Sequence, residues 1–134
     1  MKEKFIIMTN NPMVPKVLGE KYDIVFTDSS LPDFFEAVQK KICEGHILLT
    51  HPLSGSVKPG ETPYKSVLIS STAADEDRFS EEIVLSVKLI ESALASCEKF
   101  KMKPDRFKKN VLTDLQLIDY TLLESALSSA ETGL

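Results

Sequence analysis

Tryptophan is absent from this chain, and cysteine and histidine occur only twice each. Cys43 and Cys97 stand far apart, each inside a helix-like pattern, which leaves neither a disulfide framework nor the paired spacing of a zinc site. Both read as buried thiols. Cys43 and His46 are near neighbours, but Gly45 interrupts the helix between them and a stable site needs three or four ligands, so no metal is expected. Long apolar runs are missing too. The first, Phe5 to Met8, is far too short for a signal-peptide core or a membrane span, and a cytoplasmic protein is expected. Excess positive charge is lacking: a net charge of −4 and a pI near 5.2 argue against nonspecific binding to nucleic acid. The locally basic segment 99–109 reads as a helix C-terminus whose lysines complement the macrodipole, followed by a solvated loop. Neither the Walker pattern nor the dinucleotide fingerprint occurs, and no cofactor is expected.

What remains is an ordinary globular composition, 43% hydrophobic and 27% charged, which excludes disorder. A length of 134 residues suits one domain over residues 1–134, with no internal repeat and no linker to divide it. Residues 4–9 (KFIIMT) and 22–27 (YDIVFT) are short apolar runs ended by turn residues, and read as buried strands. Between them Pro15 and Gly19 limit any helix to a turn or two. Ser30 predicts a helix cap with Asp33 at its third position and Pro32 in its first turn; Leu31, Phe34, Phe35, Val38 and Ile42 follow at helical spacing, and Gly45 ends the helix. Strand-like runs at 46–50 and 66–70 come next. From Ser80 the pattern is helical, with Ile83, Val87, Ile90, Leu94 and Cys97 on one stripe. A last helix is expected from Thr113, which forms a capping box with Gln116. The fold class expected is α/β: a single small domain of about four mostly parallel strands, flanking helices and two long C-terminal helices.

If the first three strands are parallel, their carboxyl ends bring Thr9-Asn10-Asn11, Thr27 to Ser30 and Thr50-His51 to one sheet edge, where open α/β sheets bind ligands. The segment THPLSGSVKPGETPYK, residues 50–65, starts there. Its three prolines limit its freedom and its two glycines permit positive φ, so it looks built to hold a shape. Ser54-Gly55-Ser56 can turn successive amides inward as a nest, with Lys58 or Lys65 to neutralise phosphate or carboxylate. Asn10, Asn11, Thr50, His51, Ser54, Gly55, Ser56, Lys58, Thr62, Tyr64 and Lys65 form the candidate ligand set. A structured hairpin connection is the alternative reading of the same segment.

His51 is the weak catalytic candidate, a general base with Ser54 or Ser56 as nucleophile. No G-x-S-x-G elbow surrounds either serine and no acidic partner can be assigned, which favours a loop-fixing histidine. A binding domain is therefore favoured over a small enzyme.

The segment LLTHPLSGSVKPGETPYKSVLIS, residues 48–71, together with Thr9-Asn10-Asn11-Pro12, resembles the GrdX family. These are small bacterial proteins whose genes lie with those of the glycine, sarcosine and betaine reductases of amino-acid-fermenting anaerobes. The resemblance implies a cytoplasmic accessory protein, with reductase components as partners. It assigns no catalytic residue and no activity.

The last helix carries Leu115, Ile118, Leu122, Ala126 and Leu127 on one face, and Leu117, Tyr120 and Leu123 widen it beyond one core contact. Either the helix over Ile83 to Cys97 and the sheet enclose it, or two copies pair through a homodimer at residues 113–130.

Overall fold

The computed structural model describes residues 5–53, 60–73, 81–101 and 107–131. Three strands, β1 (Phe5–Thr9), β2 (Ile24–Phe26) and β3 (Ser66–Ser70), alternate with helices α1 (Met13–Leu18) and α2 (Leu31–Cys43), and α3 (Glu81–Lys99) and α4 (Lys109–Glu131) follow. The spatial order is β2-β1-β3. β1 pairs parallel with β2, Met8 opposite Val25, and antiparallel with β3, Ile7 opposite Leu68.

Strand alternation sends side chains to two cores. Met8, Val67 and Ile69 face α2 and α3, packing with Phe34, Phe35, Val38, Ile42, Ile90, Ala93 and Cys97. Ile7 and Leu68 face the other way, onto Val14 and Leu18 of α1 and Leu123 and Leu127 of α4. α2 begins as its sequence predicts: Ser30 Oγ accepts from the Asp33 amide at 3.3 Å, with proline in the first turn. Gly45, at φ 107°, turns the chain out of the helix in a conformation that side chains disfavour.

The expected set of four mostly parallel strands is corrected to three strands in a mixed sheet among the described residues. Residues 46–50 make only an isolated antiparallel bridge, Leu48 to Ile69. The Leu49 amide donates to the Leu68 carbonyl and the Ser70 amide to the Ile47 carbonyl, and side chains take the neighbouring amides. The Ile47 amide donates to Ser70 Oγ at 3.0 Å, and the Leu48 amide to Ser86 Oγ at 2.9 Å. These hydroxyls blunt the sheet edge. β3 runs against β1, yet both faces of the sheet are covered, so its strands carry the continuous apolar runs usual for parallel sheets.

Four further expectations are corrected. Cys43 is exposed, whereas Cys97 is buried and its thiol is pushed up to about 11, mainly by that burial. α4 starts at Lys109, not at Thr113, whose hydroxyl donates to the Lys109 carbonyl one turn back. Its buried face is Asp119, Leu123 and Leu127, while Ile118 and Leu122 are exposed. α3 does not enclose α4, because the apolar faces of the two helices pack on opposite sides of the sheet.

Candidate functional site

β1 and β2 run in the same direction, so Thr9, Asn10 and Asn11 leave β1 beside the residues that follow β2. Residues 46–50 oppose β3, which opposes β1, and so Thr50 and His51 also emerge toward that edge. The antiparallel β3 brings something the parallel scheme lacks: its N-terminal Lys65 and Ser66 enter where Thr9 exits.

Asn10 is a staple across three chain segments. Its Nδ2 donates to the Ser29 carbonyl at 3.1 Å and to the Pro63 carbonyl at 2.8 Å, while its Oδ1 accepts from the Lys65 amide at 2.8 Å. Both side-chain N–H donors are thereby occupied within the fold. Asn11, fully buried, donates to the Gln116 carbonyl at 2.9 Å and to Asp119 Oδ2 at 3.0 Å. Its Oδ1 accepts from the Met13 amide at 3.0 Å, which starts α1.

Asp119 is the residue around which this edge is organised, and it is only 5% exposed. Ser66 Oγ donates to Asp119 Oδ2 at 2.7 Å, and Thr9 Oγ1 lies 2.7 Å from Ser66 Oγ. With the serine proton committed to the carboxylate, the single threonine proton has two acceptors in reach, Ser66 Oγ and, at 3.4 Å, the Lys65 carbonyl. Thr9 Oγ1 itself accepts from the Asn11 amide at 2.9 Å. Burial raises the Asp119 carboxyl above the usual range; the bonds from Asn11 and Ser66 and the charge of Lys65 oppose it. Burial lowers Lys65, and the Asp119 carboxylate opposes that shift. The two ionisable groups thus partly compensate one another's desolvation.

The loop over residues 50–65 is anchored at both ends. At its start, Thr50 Oγ1 accepts from the Leu68 amide at 3.1 Å, and the exposed His51 accepts at Nδ1 from the Leu53 amide at 3.0 Å. At its exit, buried Thr62 accepts from the Tyr64 amide at 3.2 Å, and the Tyr64 hydroxyl accepts from Gln116 Nε2 at 3.0 Å. Gly60 sits against the end of α3, where a Cβ would come within 3.0 Å of the Phe100 carbonyl oxygen and 3.2 Å of its Cβ. Ser54, Gly55, Ser56 and Lys58, the expected anion nest and its lysine, lie outside the described residues.

Asn10, Asn11, Thr62, Tyr64 and Lys65 are thus gathered at one edge, and Thr50 and His51 fix the loop's other end. The sequence reading missed Asp119 and Gln116, although Asp119 falls one and two turns before Leu123 and Leu127, a carboxylate inside an apolar stripe. Buried His46 places Nδ1 2.7 Å from the Ser70 carbonyl, to which it donates. Among the described residues no group of three or more His, Cys, Asp or Glu side chains is placed to hold a metal ion. Likewise no helix among them is long and apolar enough to cross a membrane.

Comparison with curated proteins and with solved structures finds no match. A family model described as GrdX-like protein matches residues 6–128 of the 134. That span takes in β2, β3 and all of β1 but Phe5, the loop, Asn10 and Asn11, together with Asp119 and most of α4; the chain belongs to the GrdX-like protein family.

Proposed function

We propose that this chain is a non-catalytic accessory domain of the glycine, sarcosine and betaine reductase system, presenting the loop over residues 50–65 to a small anion or to a protein component of that system. Family membership supports the system. The observation that carries the mode is the Asn10 staple, which holds Pro63 and Lys65 to the end of β1. A loop whose ends are held in this way loses less conformational freedom when a partner binds. The bond from the Leu53 amide to His51 Nδ1 favours loop fixing over general-base work at that residue. In this reading Asn10 and Asn11 frame the site, while Ser54, Gly55, Ser56 and Lys58 meet the guest.

Titration with inorganic phosphate, and separately with purified reductase components, tests the reading. Binding is expected in at least one arm and is weakened by Lys58→Ala; the phosphate arm also loses affinity as salt rises. No binding in either arm overturns it.

Self-association is a second property we infer, from Leu117, Ile118 and Leu122, which are 53%, 44% and 38% exposed on α4. Ile118 and Leu122, one turn apart, share a face off the buried stripe, and Leu117 extends the exposed apolar surface around the helix. Two-fold pairing of the α4 helices covers them without disturbing the core.

A further inference from the structure

We propose that α4 is a hinged latch, whose N-terminal half docks through Gln116 and Asp119 and thereby controls the exit of the loop over residues 50–65. The buried residues of this helix are Asp119, Leu123 and Leu127, none of them in its first ten positions. The apolar grip belongs to the second half: Leu123 and Leu127, with the half-buried Tyr120, Ala126 and Ala130, join the cluster around Ile7, Val14, Leu18 and Leu68. Neither apolar cluster includes a described residue from positions 109–118. Lys109, Asn110, Thr113, Asp114, Leu117 and Ile118 are exposed, and Val111, Leu112, Leu115 and Gln116 are half-buried, outside both clusters.

The first half is instead joined to the rest of the fold by directional polar bonds. The Gln116 carbonyl and the Asp119 carboxylate both accept from Asn11. The Gln116 side chain donates to Tyr64, and Asp119 accepts from Ser66. Tyr64 and Ser66 flank Lys65, whose amide is held by Asn10. The contacts that seat this half of the helix are therefore the contacts that seat the loop exit. An apolar contact tolerates small shifts, but a hydrogen bond to a buried carboxylate is lost steeply with distance and angle. A segment with few buried apolar contacts opens at a lower free energy than the core. Opening of residues 109–119 releases Tyr64 and Ser66 while Leu123 and Leu127 stay seated. Any effect on binding rests on the reading of the loop given above; the latch itself does not, and its test measures no binding.

Amide hydrogen exchange followed residue by residue tests it in the full chain. In Asp119→Ala, the amides of residues 113–118 and of Lys65 are expected to exchange at least about tenfold faster, the size implied by losing hydrogen bonds to a charged group, while residues 124–130 keep their wild-type rates. Unchanged rates in 113–118, or equal acceleration of both halves, overturn the latch, because α4 would then be one cooperative unit. Should Asp119→Ala fail to fold, Gln116→Ala, which severs the bond to Tyr64, is held to the same outcomes.

Discussion

Asn11 donates its side-chain amide to Asp119 at 3.0 Å, joining the turn after the first strand to the middle of the last helix across 108 positions of sequence. The same amide group donates to the Gln116 carbonyl, so one buried side chain holds both the backbone and a carboxylate of α4. This bond closes the end of the sheet where the loop over residues 50–65 returns.

Asn11→Ala removes both donors and the acceptor that starts α1, leaving buried polar groups without partners. A loss of about 2–4 kcal/mol is expected, the range for breaking a buried hydrogen-bond network. Urea denaturation measures it. A loss within about 0.5 kcal/mol, typical of a surface site, contradicts the structural role given to Asn11.

Asp119 makes stability depend on pH in a definite direction. Burial raises its carboxyl above the ordinary value of 3.8, so the fold holds the proton more tightly than the unfolded chain does. Its contribution is full below the unfolded pKa and is lost as pH rises through the folded one. Lys65, lowered by burial, acts on the alkaline side: it adds stability as pH rises past its folded pKa toward 10.5. Asp119→Asn is therefore expected to gain on the wild type between about pH 4 and pH 7. Parallel denaturant titrations at the two pH values read the difference, and a gap that widens against the variant refutes the sign.

Glu61 is exposed in the loop exit, between Gly60 against α3 and the Pro63 carbonyl held by Asn10. Native protein is expected to resist a glutamyl endopeptidase there, and Asn10→Ala to raise cleavage roughly tenfold by freeing Pro63 and Lys65. Ready cleavage of the wild type at this bond contradicts an anchored exit.

Leu123 and Ile118 lie on opposite sides of α4 and should respond differently to charge. Leu123, 3% exposed, packs with Ile7 and Leu68, so Leu123→Glu buries an unpaired carboxylate and unfolds the domain at a cost of several kcal/mol. Ile118→Glu, at a position 44% exposed, is expected to stay folded and to dissociate the inferred dimer. Circular dichroism reads the first outcome and light scattering the second. A wild type that scatters as a monomer at high concentration removes the dimer.

The elements were legible wherever local chemistry chooses them. The Ser30 cap, the helix stop at Gly45 and the apolar runs around Ile7, Val25 and Leu68 depend on neighbouring residues alone, and each appears in the fold. The start of α4 was less legible, because Thr113 and Gln116 match a capping box but are used inside the helix, with Gln116 drawn to Tyr64.

By itself the sequence determined an α/β chain, the family, the position of the long loop and the meeting of Asn10, Asn11 and Thr50 near one edge of the sheet. Tertiary structure decided the direction of β3, since a strand covered on both faces has the same apolar run whichever way it points. That direction places Ser66 beside Thr9 and within reach of Asp119. It also decided the buried face of α4: Leu115, Ile118 and Leu122 are as apolar as Leu123 and Leu127, and only the partner surface of β1, β3 and α1 selects between the stripes. Turning the helix onto that surface buries Asp119, and the hydrogen bonds that make this tolerable come from residues more than 50 positions away.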